Sequence, residues 1–451
     1  MRHCKMKSEK KTYYFFINIV VIVLLLTLNI PHSCFAVITV EELKTWPFPC
    51  YQGEELRKVR EWEKTWAGKK ITQENIDQVK ELLSEQYYQV YKNPEEWGAK
   101  DLWFTILPYK QILPTPGQID ATKRYSPAAK LDPNPRKAYW KEGIGPDEFL
   151  VGWDKGDNAG FPFPLPKSGV EIAWNLDSVT RGDTKSYRRE AVLINPKTGL
   201  ERPIVERSTI DYYTGRVDIS PIPKKPKNSR GIRRGSNITI EEPLDVRDLM
   251  YMELGYLNVE EPENIWAWIP MFRRIRRLGI AWKEDTMHGR EMFPDDENGW
   301  NNHVNIKNWK LVGRKEMLLG RHTDASKYTR EKGQLVWSGQ QLERINTYVL
   351  EATFKDSKAA YSKEILYVDP EMWRCLQKVA WDREGKVWRQ FFYHTEIIKS
   401  TQGIEQPHCI ELYSMDLQKK RGSPSKNIVI EIGQKIPNSY WTIQNLQKTG
   451  Y

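Results

Sequence analysis

The chain has 451 residues, a formal net charge of +10 and 18 tryptophans. Five basic residues fall within the first eleven positions, so the rest of the chain has a modest positive excess, which indicates at most attraction to anionic surfaces. Three cysteines follow residue 36 (Cys50, Cys375 and Cys409), and this odd number excludes a disulfide framework. Cys375 and Cys409 both fall in strand-like runs, so one disulfide between them and two buried free thiols are both open interpretations.

Residues 1–36 have the pattern of an export signal. The basic start is followed by an almost wholly apolar run over Tyr13–Leu28, by helix-breaking Pro31, and by small residues at Cys34 and Ala36. We predict a cleaved signal peptide and therefore a periplasmic location. An uncleaved membrane anchor and a lipid attached to Cys34 are the alternatives. No later stretch approaches the length of a membrane span, so a water-soluble body is expected.

Residues 37–110 are predicted to form an N-terminal helical region. Leu56, Val59, Trp62 and Trp66 share one helical face, and Thr72 begins a second apolar pattern that Pro94 ends. Residues 111–166 are rich in proline, glycine and aspartate with little periodicity, so we expect an extended arm on the surface of the folded body.

The stretch Gly160–Asn175 is the most informative part of the sequence. Pro162, Pro164 and Pro166 fix φ at every second position and lack backbone donors, so this part must run extended. Ser168 and Glu171 then form the pattern of a capping box, which predicts the start of a helix. An aromatic, proline-rich arm that leads into a capped helix is a structural device and shows no catalytic chemistry.

The pattern after this helix is that of short β-strands separated by turns. Strands are expected at 187–194, 204–213, 250–257, 265–269, 273–278, 347–354, 361–368, 373–381, 387–393, 409–415 and 428–432. More than eight strands, with helices on the N-terminal side, predict a mainly β fold with flanking helices (α+β). The expected architecture over residues 167–451 is a large curved antiparallel half-barrel that encloses an apolar cavity.

The run Trp266–Arg277 predicts a hairpin with its turn at Pro270. Arg274 and Arg276 share one face of the second strand, and Arg273 and Arg277 point to the other. Such a cluster at a cavity mouth suits bidentate binding of a phosphate or carboxylate. The alternative is structural: the arginines stack on tryptophan faces and pair with the acidic run 295–297. Nucleic acid is set aside as a ligand, because an exported protein rarely meets it.

Catalytic and metal-binding patterns are weak throughout. The run Asp295–Gly299 has oxygen ligands at a density typical of calcium loops but lacks the closing glutamate, so a solvated turn is favoured. The seven histidines form no metal pair at helical spacing. His394 and His408 would approach Cys375 only if their strands were neighbours, and nothing requires a nucleophile there. No enzyme, metal or cofactor is therefore expected.

Several stretches together resemble a bacterial family of exported proteins of unknown function, often labelled outer-membrane lipoprotein-sorting proteins. The resemblance covers residues 120–451. The stretches that carry it are Gly160–Asn175, Trp266–Arg277, Asp295–Trp300, Asn308–Glu316, Val349–Phe354, Tyr367–Trp373 and Asp382–Trp388. The family is related in architecture to the periplasmic lipoprotein carriers. The resemblance implies a half-barrel around an apolar cavity and work beside resistance-nodulation-division-type exporters.

The sequence and this resemblance favour a non-enzymatic periplasmic carrier of a lipid, a lipoprotein acyl chain or other hydrophobic cargo. Its partner would be such an exporter or an outer-membrane protein. The alternative is a structural adaptor of an envelope transporter complex without lipid cargo. The residues expected to line the cavity or its rim are Phe163, Trp174, Trp266, Trp268, Arg273, Arg274, Arg276 and Arg277.

Overall fold

The computed structural model describes residues 40–132, 149–195, 198–259 and 261–449. The predicted signal peptide lies outside these residues, as does the part of the predicted arm between positions 132 and 149. In the described part of the chain, no helix has both the length and the apolar character needed to cross a membrane.

Six α-helices occur in the described residues. They are α1 Val40–Thr45, α2 Gly53–Trp66, α3 Glu85–Lys92, α4 Pro116–Tyr125, α5 Gly169–Ser178 and α6 Ile443–Thr449. The first three, with a 3-10 helix over Ile76–Leu82, make up the N-terminal helical region.

The strands of the described residues fall into two sheets. They are β1 Lys70–Ile71, β2 Phe104–Leu107, β3 Leu131–Asp132, β4 Phe149–Leu150, β5 Thr184–Ile194, β6 Glu201–Tyr212, β7 Ile232–Glu242, β8 Met250–Tyr256, β9 Asn264–Ile269, β10 Arg274–Leu278, β11 Lys307–Leu319, β12 Gln340–Phe354, β13 Lys363–Asp369, β14 Arg374–Trp381, β15 Val387–Lys399, β16 Glu405–Asp416 and β17 Arg421–Ile432. β3 and β4 form a separate pair.

The other fifteen strands form one large, curved, open sheet. Its order is β1-β2-β12-β13-β14-β15-β16-β17-β5-β6-β7-β8-β9-β10, and β11 pairs with β12. All pairings are antiparallel except that of β2 with β12. The mainly β, half-barrel fold class predicted from the sequence is confirmed.

The sheet is buried on both faces in its middle. Phe391 and Tyr393 of β15 pack in one large hydrophobic cluster, whereas Phe392 between them packs in another. Because successive side chains of a strand point to opposite faces, these two clusters lie on opposite sides of the sheet. We call the side of Phe391 and Tyr393 the inner face. The outer face packs against α2, α3 and the 3-10 helix of the N-terminal helical region, whereas Leu43 of α1 packs in the inner-face cluster.

The predicted helix start at Ser168 is confirmed, with one difference in its hydrogen bonds. Ser168 Oγ accepts the backbone N–H of Glu171 at 3.2 Å. The Glu171 carboxylate accepts the N–H of Lys167, whereas a full capping box would use the N–H of Ser168. Residues 169–176 of α5 are buried all round, so the helix lies within the core instead of presenting a single apolar face.

Several elements escaped the sequence analysis, and the longest of them are α4, β7 and β11. Helix α4 lies in the segment that we expected to be an extended arm, and Thr115 and Gln118 form its capping box. Strands β7 and β11 also lie where no strand was expected. β7 follows the basic, proline-rich stretch 221–231, and β11 reads KNWKLVGRKEMLL, with charges that obscure its alternation.

Candidate functional site

Helix α5 and residues 280–306, which we call the cover, are two of the elements that pack on the inner face. The cover contains the 3-10 turns Ile280–Glu284, Met287–Gly289, Pro294–Gly299 and Val304–Ile306. Its apolar side chains Met287, Met292, Phe293, Trp300 and Val304 join the inner-face hydrophobic cluster. The space between the inner face and the cover is the candidate site.

Buried ion pairs connect the cover to the sheet. They join Lys283 to Glu253 at 3.7 Å and to Glu263, Arg290 to Glu206 at 2.8 Å, Asp296 to Lys378 at 2.5 Å, and Glu297 to Arg189 at 2.6 Å. Buried ion pairs contribute little net stability, because desolvation of the charges offsets their attraction. The cover is therefore fixed in position by groups that water can solvate once they separate.

The backbone of the cover approaches β14 closely at Gly299. This residue has φ +85°, and a Cβ added there would lie 2.4 Å from Cys375 Cβ. Only glycine suits both the backbone conformation and this contact. Cys375 is itself buried, so its thiol lies directly beneath the cover.

The acidic run 295–297 differs from both sequence-based interpretations. We expected either a solvated turn or pairing with the hairpin arginines. Instead Asp295 is buried and accepts from the Asn302 amide at 2.9 Å, while Asp296 and Glu297 pair with Lys378 and Arg189. Burial raises the pKa of Asp295 to about 7, although Lys283 and Asn302 oppose the shift.

A cavity of about 50 Å³ lies between the cover and strands β5 to β8. Its charged lining residues are Arg181, Arg189, Arg234, Glu253 and Glu297. Its apolar wall is formed by Ile210 and Ile238 of the sheet and by Trp282 and Met287 of the cover. The lining is thus mixed, whereas the sequence predicted an apolar cavity. Of these charged residues, Arg189, Glu253 and Glu297 also take part in the ion pairs that hold the cover.

A second cavity, of about 20 Å³, shares Tyr212 with the first. Four buried polar atoms of its lining have no hydrogen-bond partner in the described part of the chain: Trp153 Nε1, Asp177 Oδ2, Ser178 Oγ and Thr180 Oγ1. Buried polar atoms in native proteins are normally paired. This corner of the molecule therefore has unused hydrogen-bonding capacity.

Positive charge is in excess around Tyr212. Burial alone would raise the pKa of Tyr212, yet it is lowered because Arg181, Arg234 and Arg233 favour the phenolate. Burial and the neighbouring Arg181 lower the pKa of Arg374 to about 9. Burial likewise lowers the pKa of Lys185 to about 7, although Glu297 opposes the shift. Of these cations, Arg233 and Arg234 have carboxylate partners, whereas Arg181, Arg374 and Lys185 form no ion pair with a carboxylate of the described residues.

Two of the predicted site residues belong to the inner side. Trp174 on α5 is 1% exposed and packs edge-on against Phe149 and Trp153 at ring distances of 5.5 and 5.0 Å. Phe163 is half-buried, and Asn175 accepts its N–H at 2.9 Å and donates to its carbonyl at 2.6 Å. Both residues pack in the core, and neither lines either of these two cavities.

The other six predicted residues lie on the β9–β10 hairpin, residues 264–278, at one edge of the sheet. Trp266 and Trp268 point to the outer face, where they pack with Trp441 near the C-terminus. The register places Arg276 opposite Ala267, and Ala267 opposite Tyr251, whose neighbour Ile238 lines the cavity. Arg274 and Arg276 therefore share a face as predicted, and that face continues the inner one. Arg273 lies in the turn at φ 48°.

The hairpin arginines are exposed, and none of the four forms an ion pair with a carboxylate of the described residues. Arg277 donates to Asn264, and Arg276 lies 5.9 Å from the Phe272 ring centre. The structure does not bring them to the tryptophans of the inner side. Their role as ligand-binding residues stays a prediction.

The cysteines and histidines show no arrangement for nucleophilic catalysis among the described residues. All three cysteines there are buried free thiols. Burial raises the pKa of Cys375 to about 12, and its thiol donates to the Gln377 carbonyl at 3.1 Å. His394 lies 2.9 Å from Glu411 instead. The predicted alternative of a Cys375–Cys409 disulfide is not present.

The residues of the Tyr212 corner were missed by the sequence analysis. Arg181 stands alone in a short loop before β5, and Arg234 lies in β7, where no strand was expected from the sequence. The available signal was the Arg233–Arg234 pair at the start of an alternating stretch. This arginine pair indicates a binding site only when the strand register is known, because the register places Arg234 opposite Tyr212.

The fold and site define a class: a mainly β protein whose open sheet has its inner face covered by a helix and an ion-paired segment. The chain belongs to the family described as "Protein of unknown function (DUF1329)", whose profile matches residues 70–447. The family predicted from the sequence motifs is thus confirmed. The family's description assigns no activity.

The chain is also similar to individual proteins. Uncharacterized protein PA3922 of Pseudomonas aeruginosa is 26% identical over 320 residues, which is 64% of this chain and 67% of the relative. A DUF1329 family protein from Desulfovibrio piger has a TM-score of 0.46 at 15% identity, covering 62% of this chain and 97% of its own. A putative outer membrane lipoprotein-sorting protein domain from Vibrio parahaemolyticus has a TM-score of 0.44 at 13% identity, covering 62% and 98%. At these scores the structural similarities carry no functional argument.

Proposed function

We propose that the protein is a non-enzymatic carrier of the periplasm that binds a hydrophobic cargo, such as a lipid or an acyl chain, between the inner face and the cover. One observation carries this proposal: the cover closes over the inner-face hydrophobic cluster but is held to the sheet by ion pairs. Separation of these pairs returns charges to water and opens a path to apolar side chains.

The carrier must open to load its cargo. The cavity of about 50 Å³ is far smaller than the roughly 300–1,000 Å³ of typical ligand pockets, so no acyl chain fits while the cover is closed. Burial of about ten methylenes at about 0.8 kcal/mol each corresponds to micromolar binding before the cost of opening is subtracted. The cargo would displace the cover from the cluster and replace its apolar contacts.

Native mass spectrometry with lipid extraction tests this proposal on protein purified from a periplasmic fraction. We expect a bound lipid or acylated species, and uptake of a fluorescent fatty acid by delipidated protein. A clean mass of the protein alone, together with no uptake of the fatty acid, would contradict the carrier function.

A second candidate function, an adaptor of an envelope transporter complex, is favoured by the tip of the hairpin. Met271 is 81% and Phe272 56% exposed, beside the four unpaired arginines. Exposed apolar residues rimmed by charge are typical of interaction sites. The partner would be a resistance-nodulation-division-type exporter or an outer-membrane protein.

A photo-crosslinking amino acid at position 272 tests the adaptor function in intact cells. The matched control is the same group at position 244, where Leu244 is 76% exposed in a different loop. The adaptor function predicts a discrete crosslinked partner from position 272 alone. Identical products from both positions, or none from position 272, would rule it out.

A further inference from the structure

We infer that the corner around Tyr212 binds the acidic head group, a carboxylate or a phosphate, of an amphiphilic cargo. We call this corner the cationic corner and define it by Trp153, Thr180, Arg181, Tyr212 and Arg234. The inference rests on the proposed carrier function and specifies the chemistry of its ligand. It places the recognition of charge inside the protein, apart from the exposed arginines of the hairpin.

The corner contains donors that the described protein does not use. Arg234 is 8% exposed and donates through one terminal nitrogen to Glu253 at 3.1 Å, which leaves its Nε without a partner. Arg181 Nε and Thr180 Oγ1 are also buried without a partner. A guanidinium with a free Nε edge is well suited to carboxylates and phosphates, because its planar fork matches their geometry.

The carboxylates near the corner are already engaged. Asp177 binds Arg233 at 2.7 Å through one oxygen, and its other oxygen lacks a partner. Glu253 lies 3.1 Å from Arg234 and 3.7 Å from Lys283, and Glu263 pairs with the same two cations, so these two carboxylates balance them. Arg181 forms no ion pair with a carboxylate of the described chain. The lowered pKa of Tyr212 agrees with the resulting excess of positive charge.

The size of the cavities fits a head group. About 50 Å³ beside about 20 Å³ accommodates one carboxylate or similar group, together with a water. The apolar wall of the larger cavity then leads away from the arginines. Ile238 and Met287 on this wall also pack in the inner-face cluster. An acid held by Arg181 and Arg234 would thus direct its hydrocarbon chain beneath the cover.

Three ligands with the same twelve-carbon chain test this inference: dodecanoic acid, dodecyl phosphate and dodecanol. Their affinities for the mature protein are measured by displacement of a bound fluorescent probe. We expect at least one of the two acids to bind about tenfold or more tightly than the alcohol. Tight binding of either acid supports the inference. The comparison of dodecanoic acid with dodecyl phosphate then shows whether the corner prefers a carboxylate or a phosphate.

Substitutions in the corner locate the effect. Arg181→Met should reduce the preference for the acid to less than about threefold and leave dodecanol binding unchanged. Thr180→Val is a nearly isosteric second variant that removes an unpartnered hydroxyl, so it should keep the thermal stability while weakening acid binding a few-fold. Arg274→Gln, on the exposed hairpin, is the control and should retain the preference.

Each opposing outcome has a distinct meaning. Equal binding of the acids and the alcohol by the unaltered protein would overturn the inference and leave the carrier function standing. A preference that survives Arg181→Met and Thr180→Val but is lost in Arg274→Gln would place acid recognition on the hairpin and also overturn it. Failure of all three ligands to bind would contradict the carrier function itself.

Discussion

Helix α5 and the cover shield the same face of the sheet by different physical means. Residues 169–176 of α5 are all buried, and the helix begins at a hydrogen-bonded cap. The cover has no α-helix, and buried ion pairs with residues distant in the sequence hold it in place. Apolar burial cannot be exchanged for water without a large cost, whereas charged groups can be hydrated. The cover also buries apolar side chains, but a hydrophobic cargo could replace those contacts while water hydrates the separated charges. We therefore expect α5 to stay docked and the cover to be the movable part.

The largest expected effect is that of Trp174→Ala on α5. Removal of this buried indole should lower the free energy of unfolding by about 3–5 kcal/mol, because it deletes apolar contacts and leaves a cavity. Chemical denaturation measures the change. Ser178→Ala at the end of the same helix is the control, since its hydroxyl has no partner in the described structure. If Trp174→Ala lowered the free energy of unfolding by less than about 1 kcal/mol, α5 would not be the firmly docked element that we expect.

A somewhat smaller loss, about 3 kcal/mol, is expected for Lys378→Met at the base of the cover. Asp296 would remain buried without its cation, 2.5 Å from the vacated ammonium position. The cover should then separate from β14 and expose Cys375. The rate at which a thiol reagent labels Cys375, measured with Cys50 and Cys409 replaced by serine, should rise at least tenfold.

The double variant Asp296→Asn with Lys378→Met is the matched control for this change. It removes the uncompensated charge, so it should regain part of the stability and slow the labelling of Cys375. Unchanged labelling in Lys378→Met would show that the cover does not depend on this ion pair.

An intermediate effect, which depends on pH, is expected at Asp295 in the cover. Because burial raises the pKa of Asp295 from its ordinary value of 3.8 to about 7, the proton favours the folded state. The stabilisation from this proton is complete below about pH 4 and is lost as the pH rises to about 7. Asp295→Asn should therefore gain on the order of 2 kcal/mol relative to the unaltered protein at pH 8.

This gain should disappear as the pH falls from 7 to 4, which unfolding measurements across that range will show. A gain of the same size at pH 4 and pH 8 would mean that Asp295 does not titrate in this interval. Titration of Asp295 would then not make the stability of the closed cover depend on pH.

The smallest effect on stability is expected at the hairpin, away from both elements. Phe272→Ser should change the free energy of unfolding by less than about 0.5 kcal/mol, because the side chain is 56% exposed. Thermal unfolding is the measurement. A marked loss would show that the hairpin tip supports the fold, and the adaptor function would lose its surface.

The difference between α5 and the cover also explains what the sequence could predict. Ser168, Glu171 and the apolar spacing after them are local signals, so the helix and its start were predictable. The same holds for β8 to β10, where alternation and Pro270 mark the strands and their turn. The order of the fifteen strands in one sheet could not be predicted, but the large number of short strands was enough to predict the fold class.

The cover and the cationic corner lacked such signals. Arg290 and Glu206 are 84 residues apart, and Glu297 and Arg189 are 108 apart. Nothing local indicates which of many charges in a chain will meet. The acidic run 295–297 was noticed, but its partners depend on the register of strands that enclose it. Arg181 and Thr180 lie in a loop whose sequence shows no period.

The position of β17 has a consequence for how the chain assembles. β17 comes last among the strands in the chain, yet it lies between β16 and β5 in the middle of the sheet. A truncation before Arg421 would therefore divide the sheet in two instead of trimming an edge. For the same reason, the joining of β5 to β17 closes a loop of more than two hundred residues, and contacts of such long range form slowly. A chain synthesised from its N-terminus would hold two unjoined half-sheets until its last strand is made.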